Sequence, residues 1–247
     1  MAIWQASYLL GRRPEVKPTA FALGGQPEPR DYGRTLADSA LMIFLACVGL
    51  ALRAHETTPA LAQLLGVSTV LYGMVRGLDK PLQGGAWTGL GLAVIALSAS
   101  LWLFVLIFIG LIVSLIICEV KPHPKWLAST WLIALLGISV WPFLWWISGL
   151  TTGQMQTAWQ AWWSNDAMQL VISAKSSGFL ARNLPLYAWP VWPLALWSIW
   201  FWRKGANNPL GGIRNPNMAL PLGIVIAVLV YQTHLQALSE QSLLLII

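Results

Sequence analysis

The densest group of reactive side chains in the sequence is the run Arg53-Ala54-His55-Glu56-Thr57-Thr58-Pro59. An imidazole beside a carboxylate can share a proton near neutral pH, so His55 and Glu56 are candidates for a base or, with Arg53, for holding a phosphate-sugar head group. The same residues also make a solvated hairpin turn, with Thr58 as N-cap and Pro59 opening the next helix. Turn chemistry alone accounts for most of them. Two more cations, Lys175 and Arg182, flank Ser176-Ser177-Gly178. They suit a lipid phosphate, or equally a plain head-group contact. Met155, Trp159, Trp162 and Trp163 recur at spacings of three and four, which puts them on one helical face. That face fits a helix lying in a membrane surface, or a platform on which a sugar ring stacks.

Other chemistries find no support in the spacing. His55, His123 and His234 are scattered, and Cys47 and Cys118 both sit inside apolar runs, so neither a metal site nor a disulfide is expected. No Gly-rich phosphate loop and no nucleophile elbow occurs, so no cofactor is expected. Asp38 opens the first apolar run and Glu119 closes the fourth, where both can reach water. No residue is assigned as catalytic.

The elements that position these residues follow from composition. Of 247 residues, 57% are apolar and only 10% charged, and the mean hydropathy is +0.63. A soluble domain carries roughly 25% charge, so the expectation is an all-α, polytopic transmembrane helical bundle in a lipid bilayer. The net charge of +6 then reads as loops facing anionic lipid; nucleic acid is not an expected partner.

Crossing hydrocarbon takes about 20 apolar residues as helix. The runs 37–52, 59–75, 126–149, 186–202 and 218–235 qualify. Residues 81–118 carry no charge; one helix of that length would reach about 57 Å, so it is split near Ser98-Ala99-Ser100. About seven spans result. With the N-terminal segment cytoplasmic, twelve Lys and Arg fall on that side and only Arg53, Lys175 and Arg182 on the other, the asymmetry that orients membrane proteins. The expected location is a bacterial-type inner membrane. Sixteen tryptophans, thirteen of them between Trp126 and Trp202, include expected interface anchors at Trp126, Trp131, Trp141, Trp145, Trp146, Trp197, Trp200 and Trp202.

The organisation read from this is the end of a helix plus a cytoplasmic segment (1–36), a five-span bundle (37–149), a Trp-rich extracytoplasmic segment (150–185), and two spans with the start of a third (186–247). Met1 to Leu10 is apolar ahead of Gly11-Arg12-Arg13, the reverse of a signal peptide's order. The last six residues begin an apolar run. Both ends suggest the middle of a larger protein.

Several stretches resemble the membrane part of the C-type glycosyltransferases, the group of the aminoarabinose transferases and protein mannosyltransferases. Tyr8-Leu9-Leu10-Gly11-Arg12-Arg13 resembles the end of an early span in that family. Arg76-Gly77-Leu78 through Gly84-Gly85-Ala86-Trp87-Thr88-Gly89-Leu90-Gly91-Leu92-Ala93 resembles its Gly-rich helix, and Arg182-Asn183-Leu184-Pro185-Leu186-Tyr187-Ala188-Trp189-Pro190-Val191-Trp192-Pro193 its outer segment and following span. Ser239-Glu240-Gln241 sits where the family re-enters the membrane.

The resemblance implies an enzyme that takes a sugar from a polyprenyl-phosphate donor at the outer face of the inner membrane. It passes that sugar to a lipid or protein acceptor. The chemistry wants a carboxylate to deprotonate the acceptor and cations to hold the leaving phosphate. The family's principal carboxylate lies upstream of what this sequence begins with, and its hairpin cation is replaced here by Ser98-Ala99-Ser100, so the expectation is a glycosyltransferase-like fragment that does not turn over alone. The alternatives are a non-catalytic module that binds the lipid carrier through Arg53, Lys175 and Arg182, a transporter, or a scaffold.

Overall fold

The computed structural model describes residues 1–13, 16, 25, 27–53, 55, 58–98, 101–148, 152–162, 174–204 and 215–234. Every regular element among them is an α-helix: α1 (Ala2–Gly11), α2 (Pro29–Leu45), α3 (Val48–Arg53), α4 (Pro59–Asp79), α5 (Pro81–Leu97), α6 (Leu101–Ile117), α7 (Pro124–Ile147), α8 (Thr152–Trp162), α9 (Ala174–Tyr187), α10 (Val191–Lys204) and α11 (Pro216–His234). Proline opens α2, α4, α5 and α7. Its fixed φ suits a first helical position, and the N–H it lacks has no intrahelical partner there.

Among the described residues three helices are long and apolar enough to cross a membrane: Pro59–Asp79, Pro124–Ile147 and Pro216–Thr233. Three shorter apolar helices accompany them, Pro81–Leu97, Leu101–Ile117 and Val191–Trp200. The charge-free run 81–118 is two helices, separated at Ser98. The first apolar run differs from the expected bounds. Its helix starts at Pro29 and ends at Leu45, and α3 follows after Cys47. The backbone N–H of Val48 bonds the carbonyl of Trp189 at 3.2 Å, so a distant segment takes up the donor that this break sets free.

Small residues decide which helices meet. Along the α4–α5 hairpin, Gly77 faces Gly84, Gly73 faces Thr88, Val70 faces Gly91 and Gly66 faces Ile95, an antiparallel register. A Cβ on Gly91 would stand 2.7 Å from the Gly66 carbonyl oxygen, so the two backbones touch with nothing between them. The other side of α5 meets α7. Gly85 faces Ser129, Gly89 faces Ile133 and Ala93 faces Gly137, so these two helices run parallel. Two parallel helices joined through one helix require the joining element to run back, and α6 does so. It pairs with α11 through Gly110, Gly223, Ser114 and Ala227, again antiparallel. Helix α1 packs against α2 and α4, with Gly11 against Gly33.

The interior is apolar, built on Met74, Leu92, Ile95, Leu103, Ile107 and Leu111, but large apolar side chains also cover much of the outside. On α7 the buried residues are Trp126, Ser129, Thr130 and Ala134, while Leu132, Leu135, Leu136, Phe143 and Leu144 are exposed. Polar Gln63, Thr69, Thr88 and Ser114 are buried in neighbouring helices. An exterior this apolar suits helices surrounded by lipid, where close packing of small residues and hydroxyls holds helices together. Thr69, Thr88 and Ser114 each donate to the carbonyl four residues earlier at 2.7–2.9 Å, which satisfies them without a partner helix.

Candidate functional site

The turn ahead of α4 forms as its residue types dictate. Thr58 is the N-cap in extended conformation, φ −128° and ψ 154°, and Pro59 is the first helical residue. The Thr58 hydroxyl makes no capping bond. Arg53 closes α3 and His55 stands exposed in the turn; Glu56 lies outside the described residues. Helix α3 packs against α9, which carries Lys175 in its first turn and Arg182 seven residues on, two turns along the same face. Arg182 is exposed. The cations at 53, 175 and 182 thus sit on two helices in contact, an association that no spacing in the sequence encodes.

The tryptophan group is only partly described. Helix α8 holds Trp159, which is 52% exposed, and ends at Trp162; Trp163 lies outside the described residues.

Cavities open between the described helices. One of about 370 Å³ lies among α1, α2, α4, α10 and α11, and its lining is apolar apart from Ser68 and Ser198. The second, about 210 Å³, follows the α6–α11 seam. The third, about 220 Å³, lies at the far end of the bundle from the Thr58 turn, between the α4–α5 junction and the α6–α7 connection. Of the candidate residues whose side chains are described, His55, Trp159 and Arg182 do not line these three cavities.

The end of the bundle that holds the third cavity gathers charge which, in the sequence, served only to orient the chain. Arg12 and Arg13 each approach Asp79 at 3.4 Å, and the Arg12 guanidinium lies 5.6 Å from the Tyr8 ring centre. Arg76 donates to Gln83 across the hairpin at 3.3 Å. Lys121 and His123 line the cavity itself. Trp126, expected as an interface anchor, is instead buried at 4% exposure, its indole against Gly77 where a side chain would collide with it. Trp131, Trp141, Trp146, Trp197 and Trp200 are exposed.

Cys47 is buried and its thiol donates to the Ile43 carbonyl at 3.4 Å; Cys118 is half-buried and also free. Among the described residues no group of three or more His, Cys, Asp or Glu side chains is placed to hold a metal ion. No family model matches the chain, and neither does any curated protein or solved structure.

Proposed function

We propose that the chain is a multi-pass membrane protein of about seven spans which binds a polyprenyl-phosphate-linked sugar, in the manner of a C-type glycosyltransferase, on the side where α3 meets α9. The observation that carries the binding site is the packing of the Arg53 helix against the helix of Lys175 and Arg182. Cations on two touching helices suit a phosphate, because charge-assisted hydrogen bonds are the strongest contacts available to it. The apolar cavity of about 370 Å³ supplies a hydrocarbon environment for an isoprenoid chain. The parallel α5 and α7, with α6 running back between them, support the two-span reading of residues 81–118. In this orientation the N-terminal segment is cytoplasmic in a bacterial-type inner membrane.

The test is binding of a polyprenyl-phosphate sugar by the full chain in phosphatidylcholine nanodiscs. Arg182→Ala should weaken it about tenfold, the loss expected for one hydrogen bond to a charged group. Equal affinity in the variant, or no binding at all, defeats the proposal. A second reading, a carrier-binding module without catalysis, is favoured by the serine-only polarity of the large cavity. Release or transfer of the sugar separates the two, because only an enzyme shows it.

A further inference from the structure

The connection from α6 to α7 is built rigidly. Helix α6 ends with Glu119 in the left-handed region at φ 57°. The N–H of Glu119 bonds the Ile116 carbonyl and the N–H of Val120 bonds the Leu115 carbonyl, both at 3.0 Å. This is a Schellman termination, whose usual companion is an apolar contact between the flanking residues; Leu115 and Val120 line the same cavity. Lys121-Pro122-His123-Pro124 follows, with two prolines to restrict the backbone. His123 Nδ1 accepts the Lys125 N–H at 3.1 Å, so neutral His123 carries its proton on Nε2 as a donor.

Across the cavity stand Met74, Leu78 and Trp126. The space of about 220 Å³ holds roughly seven water-sized groups. Its walls are apolar, and exposed Lys121 and His123 are its charged or ionisable members. Arg76 and Lys80 adjoin the lining residues Gly77 and Pro81, and Lys125 adjoins Trp126. The acidic neighbours are Asp79, engaged by Arg12 and Arg13, and Glu119, which adjoins the lining residue Val120.

We infer that this cavity is a binding site for an anionic phospholipid, with the phosphate at Lys121 and His123 and the glycerol and first methylenes against Met74, Leu78 and Trp126. The charge of the lip selects an anion. The apolar wall selects one that carries hydrocarbon, since a free phosphate would leave the interior without a fitting group. This site is on the opposite end of the bundle from Arg53 and Arg182, uses none of their residues, and does not depend on any catalytic role.

The test uses the full chain in phosphatidylcholine nanodiscs doped with phosphatidylglycerol, with native mass spectrometry reading the lipid retained. Retention of phosphatidylglycerol over phosphatidylcholine is expected. The double variant Lys121→Gln/His123→Gln should retain about fivefold less, the effect of about one cation near an anionic surface. Arg34→Gln removes one charge from α2, outside the cavity, and should leave retention within about twofold. Both loop residues are exposed, and the melting temperature of the double variant reads what loss of the His123 cap on Lys125 costs. Unchanged retention in the double variant overturns the proposal, as does an equal loss in Arg34→Gln, which would mean attraction to the whole surface. Displacement of phosphatidylglycerol by inorganic phosphate also overturns it, in favour of a free-anion site.

Discussion

Gly84 of α5 lies directly against the backbone of Gly77 in α4, so close that a Cβ on Gly84 would overlap the Gly77 Cα and nitrogen. Backbone cannot swing aside as a side chain can. Gly84→Val should therefore cost at least about 3 kcal/mol, the upper range of overpacking, read as a lowered melting temperature in detergent. A methyl group on Gly178 in α9, by contrast, would meet nothing within 4 Å. Gly178→Ala should instead stabilise its helix by roughly 0.5–1 kcal/mol. Equal effects of the two substitutions would contradict the packing described for α4 and α5.

Glu119 is the one non-glycine residue at positive φ among the described residues, at the position of a Schellman turn where glycine is usual. A side chain there costs of order 1 kcal/mol. Glu119→Gly should raise the unfolding free energy by about that amount relative to Glu119→Ala, as measured by chemical denaturation. Stabilisation by alanine and not by glycine would show that the carboxylate, rather than the backbone, sets the cost.

Thr130 is fully buried on the face of α7 that meets Gly89, and its hydroxyl oxygen has no hydrogen-bond partner. Valine keeps the shape and removes the stranded group. Thr130→Val should stabilise the bundle by about 1 kcal/mol. A loss of stability of that size would mean that the hydroxyl has a partner in the membrane-embedded protein.

Much of the helical order is legible in the amino-acid sequence alone. Proline at 59 and 81 and the break at Ser98 mark helix boundaries by local backbone chemistry, and those boundaries appear where the residues put them, whereas α7 starts at Pro124, two residues ahead of the expected Trp126. The start of α2 is not legible in this way, because Arg30, Asp31 and Arg34 end an apolar run without ending a helix; a counting rule based on hydropathy stops where helical propensity continues. The break at Cys47 depends on Trp189, some 140 residues away, and no local pattern carries it. The candidate site divides in the same way. The cations at 53, 175 and 182 are visible as rare charges in the sequence, whereas the contact between α3 and α9 is tertiary. Lys121 and His123 stand in plain view but speak only to orientation, since a cavity is a property of separate connections folded together. Trp126 misleads for the related reason that an aromatic at a helix start suits an interface and a glycine groove equally well, and Gly77 decides between them.

If residues 81–118 cross the membrane twice, as proposed, the parity of every later span is set. Labelling of single cysteines by a membrane-impermeant maleimide in intact and opened cells, starting from a Cys47→Ala/Cys118→Ala background, tests this. Lys80→Cys and Lys121→Cys should react from the same side, and His55→Cys and Ser98→Cys from the other. Lys80→Cys and Lys121→Cys reacting from opposite sides would contradict the two-span topology.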